Sequence, residues 1–199
     1  MRNLLALVTI LHISVISAFN AFADGGVPVI FSATSGSTEF RATGHPSSLH
    51  VVGKGVGPIG EIQVGKVTSD GVLSFDLTTL DTGIETRDEH MKAKYLEVEK
   101  YPKAQLTISK MAISQDQITK PSAITDAPFQ GTLLLHGTSK PVTGTVSIQG
   151  DGQGTLNLDS KFSLKLSDFG IAVPVFAGIT VADQVQIQII SKPHFSKSN

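Results

Sequence analysis

The chain has 199 residues, of which 40% are hydrophobic and 17% charged, with a formal net charge of −1. It contains no cysteine and no tryptophan, so disulfides and thiolate metal sites are excluded. Without an excess or block of basic residues, nucleic acid is not an expected partner.

The N-terminus reads as a targeting segment. Arg2 precedes the apolar run "LLALVTILHISVISAF", and Ala21 to Ala23 form a small-x-small cleavage pattern. Residues 1–23 are therefore expected to be a cleaved signal peptide, and the mature protein is expected in the periplasm. Residues 24–190 are numerous enough for one domain with its own core. The end, "SKPHFSKSN" (191–199), reads as a flexible tail.

Beyond the leader the dominant period is two. In "GEIQVGKV", Ile62 and Val64 alternate with Glu61 and Gln63; in "GVLSFDLTTL", Leu73, Phe75 and Leu77 alternate with Ser74, Asp76 and Thr78. "DSKFSLKLSDFG" sets Phe162, Leu164 and Leu166 against polar residues, and "QVQIQII" does the same with Val185, Ile187 and Ile189. Such alternation predicts antiparallel strands with one apolar and one wet face. Turn residues at 68–71, 136–141 and 150–154 punctuate them. About eight or nine strands without disulfides point to a barrel or a sandwich.

Residues 78–109 break this rhythm. Thr86 and Glu89 have capping-box spacing; Met91, Tyr95, Leu96 and Val98 then recur at helical spacing until Pro102 ends the element. A short amphipathic helix inserted between two strands is predicted. Asp88 and Glu89 suit its positive end, and Arg87 suits a bidentate pair with a carboxylate on a neighbouring strand. Arg87 and His90 are thus structural anchors or contacts for the polar head of a ligand.

Other chemistry finds little support. Gly55, Gly57 and Gly60 match G-x-G-x-x-G, but a strand-like segment comes next where a dinucleotide fold needs a helix, so a bend or bulge is expected. His45, His50, His90, His136 and His194 lack metal-ligand spacing, so no metal or cofactor is expected; His90 and His136 read as hydrogen-bonded structural histidines. The G-x-S-x-G motif is missing, although a triad assembled in space stays open.

The segment "LSFDLTTLDTGIETRDEHMKAKYLEVEKYPKAQLTIS" resembles the signature of the YceI-like family of exported bacterial proteins. "GTLLLHGTSKPVT" (131–143), "FSLKLSDFGI" (162–171) and "VADQVQIQI" (181–189) continue the resemblance over roughly residues 27–190. "SGSTEFRATGHPSSLHVVGKG" and the short stretch before "FSLKLSDFG" depart from the usual family form. The resemblance implies a mainly β protein, an extended lipocalin-like antiparallel β-barrel of about eight strands with one short inserted α-helix. It also implies a non-enzymatic protein that holds a polyisoprenoid, a quinone-type molecule or a similar amphiphile inside the barrel. With the alternation, it nominates Phe75, Leu77, Leu106, Ile108, Phe162 and Leu164 as strand lining, and Met91 and Tyr95 as a cover. Phe169 and Phe176 become wall or mouth residues. A filled, ligand-free barrel acting in stress or interaction, a hydrolase, and a dimer all remain open to the sequence.

Overall fold

The computed structural model describes residues 26–45, 50–176 and 179–196, and of His45, Phe176 and Ile179 the backbone alone. The expected leader, residues 1–23, lies outside the described residues. Among the described residues twelve strands form one antiparallel sheet. They are β1 (Val27–Phe31), β2 (Gly36–His45), β3 (His50–Val56), β4 (Ile59–Val64), β5 (Ser69–Asp76) and β6 (Lys103–Met111). The rest are β7 (Pro121–Leu135), β8 (Thr138–Asp151), β9 (Leu156–Lys165), β10 (Val175–Phe176), β11 (Ile179–Ser191) and β12 (His194–Phe195). Their spatial order is β12-β1-β4-β5-β6-β7-β8-β9-β11-β2-β3, with β10 paired to β11.

The sheet is mainly β and antiparallel, as the alternation implies, but it exceeds eight strands and curls into a half-barrel. Both edges of the curl are stitched rather than laddered. On β3, the Lys54 and Asp81 backbones exchange two hydrogen bonds of 2.8 Å. On β12, Phe195 N–H donates to the Gly154 carbonyl at 2.9 Å, next to the start of β9. Capping open edges in this way removes templates for unwanted pairing. The extra strands escaped the sequence reading because β10 and β12 have two residues each and show no period. The flexible tail is therefore corrected over residues 191–196, where β12 pairs with β1 and Phe195 is buried; residues 197–199 lie outside the described residues.

Strand by strand, burial follows side-chain parity. In β9, Leu158, Phe162 and Leu164 point inward, while Asn157, Lys161, Ser163 and Lys165 point out. The turns are tighter than the sequence suggested. Between β7 and β8 only His136 and Gly137 turn, with φ of 50° and 74°, the two positive values that a type I′ hairpin requires; Thr138 already belongs to β8. The glycine run at 55–60 joins β3 to β4 and serves close backbone approach. At Gly60, with φ of 151°, a Cβ would collide with the Val72 carbonyl.

The interior has two halves. Phe31, Leu73, Leu106, Ile108, Phe129 and Leu158 fill one of them, leaving a gap of about 20 Å³, about one water-sized probe. Each such side chain stabilises the fold by roughly 1.5–3 kcal/mol on burial. The other half is hollow.

Candidate ligand-binding cavity

The hollow half is covered by an arm, residues 81–101, inserted between β5 and β6. Its helix α1 (Glu85–His90) runs directly into a π-helical turn, Met91–Tyr95. The Leu96 amide donates to the Met91 carbonyl at 2.9 Å, closing the wide turn. That extra residue per turn keeps Met91, Tyr95 and Leu96 packed on the core together.

Thr82 ties down the start of the arm. Its amide and hydroxyl donate to Asp88 Oδ1 at 3.0 and 2.5 Å. Arg87 donates from Nε to the Thr82 hydroxyl and from Nη2 to the Thr82 carbonyl, both at 2.8 Å. Desolvation raises the Asp88 pKa, but the bonds from Thr82, helped by Asp81 and Lys92, outweigh it and hold the carboxylate below its ordinary value. Two expectations are thereby corrected. Arg87 pairs with Thr82 rather than with an acid on a strand, because a threonine five residues away supplies both acceptors within the same turn. No Thr86–Glu89 capping box forms, since Ile84 occupies the cap position.

The far end of the arm is latched to the sheet. Glu97, at φ of 46°, places its carboxylate 2.7 Å from His136 Nε2, while His136 Nδ1 lies 3.2 Å from the Phe169 carbonyl. Tyr101 packs edge-on against the same imidazole, 4.8 Å between ring centroids. His136 is thus a structural histidine, as the sequence reading expected.

Between arm and sheet lies a cavity of about 570 Å³, within the range of roughly 300–1,000 Å³ typical of small-molecule sites. Its walls are almost wholly apolar: Phe40, Phe75, Leu133, Leu135, Phe162 and Ile187 from the sheet, with Met91, Tyr95 and Leu96 from the arm. Polar groups gather on the arm, where Thr86, Arg87, His90 and Lys94 line the opening. Ile84 and Val175, also lining it, are 51% and 59% exposed and mark the mouth. Such a cleft accepts an elongated apolar body and leaves a polar end near the arm.

The model of the YceI-like domain matches residues 29–191, nearly the whole described chain. The chain belongs to the YceI-like family. Among relatives, a UPF0312 protein of Pseudomonas putida strain W619 is 34% identical over 110 residues, 51% of this chain and 53% of the relative. A YceI protein of Salmonella newport is 27% identical over 105 residues, half of each. These matches thus span about half the length of the curated relatives. Solved structures agree in fold at low identity. A polyisoprenoid binding domain from Saccharophagus degradans superposes with a TM-score of 0.65 at 14% identity, covering 86% of this chain and 99% of that one. BcnA of Burkholderia cenocepacia gives 0.61 at 18%, covering 80% and 96%.

In this YceI-like chain the nominated residues divide by half-barrel. Phe75, Leu77, Met91, Tyr95, Phe162 and Leu164 all line the cavity, and Arg87 and His90 stand beside them. Leu106 and Ile108 do not; they sit in the packed half, because β6 contributes Ala104 to the cavity and its later residues to solid core. Phe169 is 1% exposed and lies outside the lining, its ring buried and its carbonyl taken by His136. The Phe176 side chain lies outside the described residues. Sequence reasoning missed Phe40, Leu80, Leu133, Leu135 and Val181. Phe40 and Ala42 were visible as alternation in "STEFRATG", whereas in "GTLLLHG" the outward Leu134 hides the inward parity of Leu133 and Leu135.

Proposed function

We propose that this YceI-like chain is an exported, non-enzymatic carrier that holds a polyisoprenoid or a similar lipid-like amphiphile in the hollow half of its sheet. The 570 Å³ apolar cavity beneath the arm carries the reading. It favours a ligand-holding protein over a filled barrel, since the same fold packs its other half almost solid. The similarity to the Saccharophagus degradans polyisoprenoid binding domain supports the same ligand class. Export to the periplasm rests on the leader-like residues 1–23.

Binding in such a site is driven by burial. Ten methylenes at about 0.8 kcal/mol each contribute roughly 8 kcal/mol, from which association costs of at least ~4 kcal/mol are subtracted. A short tail is held weakly and a longer prenyl chain firmly. Arg87 is occupied with Thr82, so its first role is to position the arm, while exposed His90 and Lys94 flank the polar end of the ligand. A quinone-type ring fits the reading as one such end.

Native mass spectrometry of protein isolated from its own periplasm, followed by solvent extraction, tests it. A co-purifying lipid, or stoichiometric uptake of an isoprenoid quinone by stripped protein, is expected. Protein that is consistently empty and takes up none would sink the proposal.

A further inference from the structure

The arm sorts its charges by direction. Residues 81–101 carry six acids against four lysines and arginines, so the segment is formally acidic. None of those acids lines the cavity, whereas Arg87, His90 and Lys94 all do. Three of the acids fasten the arm instead. The Asp81 carboxylate accepts from the Gly83 amide at 2.6 Å, Asp88 accepts from Thr82, and Glu97 meets His136. Glu85, Glu89 and Glu99 are exposed and stand outside the lining. The rest of the lining contributes no carboxylate either.

The three basic residues share one face. Positions 87, 90 and 94 recur at helical spacing along α1 and the π turn, on the side that also brings Met91 to the cavity. Among the described residues none of the three is in an ion pair. Arg87 gives Nε and Nη2 to Thr82 and keeps Nη1, and Lys94 Nζ stands 5.5 Å from the centroid of the Tyr95 ring. A head group at this mouth meets N–H donors and positive charge with no acid to balance it. We infer that the polar end of the ligand is anionic, a phosphate or carboxylate on a prenyl or similar chain, held at the mouth by Arg87, His90 and Lys94. A neutral alcohol or quinone end accepts hydrogen bonds there, but hydrogen bonds to an ionised acceptor are roughly twice as strong. It therefore ranks below an anionic end on the same chain. The head stays at the wet rim, so its charge is not carried into the apolar interior, where it would be costly. This inference rests on the lipid-carrier reading and sharpens it to a class of ligand.

The test compares farnesyl phosphate with farnesol, which share one prenyl chain, in displacing N-phenyl-1-naphthylamine from lipid-stripped full-length protein. Farnesyl phosphate should bind tighter by about three- to tenfold at low salt, and the advantage should shrink as ionic strength rises. Lys94→Glu should lower the ratio of the two affinities by about five- to tenfold, and His90→Gln by about two- to threefold. Because the ratio is taken within each variant, a general loss of affinity cancels. Lys110→Glu makes the same change in net charge on β6, beyond the cavity, and should retain the native ratio. Inorganic phosphate should compete no better than chloride of matched ionic strength. Equal native affinities, or a ratio lowered as far by Lys110→Glu as by Lys94→Glu, would overturn the anionic head and leave the carrier reading standing. Specific competition by inorganic phosphate would overturn it too, by assigning the basic face to the free ion. Failure of both prenyl probes to displace dye from the native protein would instead refute the carrier reading, and the anionic head with it.

Discussion

Replacing Ala104 by leucine should turn cavity into core. Ala104 is 5% exposed, lines the cavity from β6 and lies opposite Phe75 of β5. Leucine adds three carbons at a point where the wall is a single methyl deep. If they exclude three carbons of ligand, the lost burial is about 2.4 kcal/mol at ~0.8 kcal/mol per methylene, or roughly 50-fold in Kd. The empty protein changes in the opposite direction. The new side chain buries a comparable area without a ligand, which raises Tm by up to about 5–10 °C for a domain of this size. Dye displacement by farnesol and a thermal melt of the stripped protein read the two effects separately. A variant with lower Tm and unchanged affinity would refute the reasoning, because it would mean that the space beside Ala104 is neither free nor used.

The remaining predictions probe the supports of that cavity. Asp88→Asn should destabilise the protein at pH 7 by about 1 kcal/mol or less, the screened value for a partly exposed group. Because the folded-state pKa lies below the ordinary one, that stabilisation is complete above the unfolded value and is lost as pH falls through the folded value. Urea midpoints of native and Asp88→Asn protein should therefore converge in acid, below the usual carboxylate range. His136→Gln breaks the latch to Glu97 and the Phe169 carbonyl, and amides of residues 91–101 should exchange faster in hydrogen-exchange mass spectrometry. Leu106→Ala should cost roughly 3–5 kcal/mol in denaturant unfolding yet leave ligand affinity of the folded protein unchanged, since Leu106 is 1% exposed in the packed half.

Side-chain parity carried most of the fold: every residue that the period-two reading turned inward, from Ile62 to Ile189, faces the interior. Parity says which face is inside, however, and not whether the inside is filled. Phe75 and Leu106 have the same flanking alternation, and only three-dimensional spacing puts one on a cavity and the other in solid core. The inserted helix was legible from Met91 and Tyr95, but it ends at Tyr95, where Glu97 takes a positive φ, rather than running through Val98 to Pro102; its π turn was not legible, because a single widened turn leaves little mark on spacing. The capping box does exist, at Ser114 and Gln117 before the short α2 (Gln115–Ile118), where the S-x-x-Q spacing was readable and overlooked. Arg87 misled for a local reason. Its fork of two donors, which would match a carboxylate, is met by the Thr82 hydroxyl and carbonyl, and a turn that folds five residues back on themselves is invisible to residue type alone.

The division of one sheet into a solid half and a hollow half separates two selective pressures along the same strands. Changes at Phe129, Leu106 or Leu158 fall on the part that sets the margin above unfolding, whereas changes at Ala104, Leu133 or Ile187 alter the space under the arm. A lineage can therefore remould the space under the arm while the packed half stays put, and superposition at 14% identity with a TM-score of 0.65 is the kind of divergence such a scaffold tolerates.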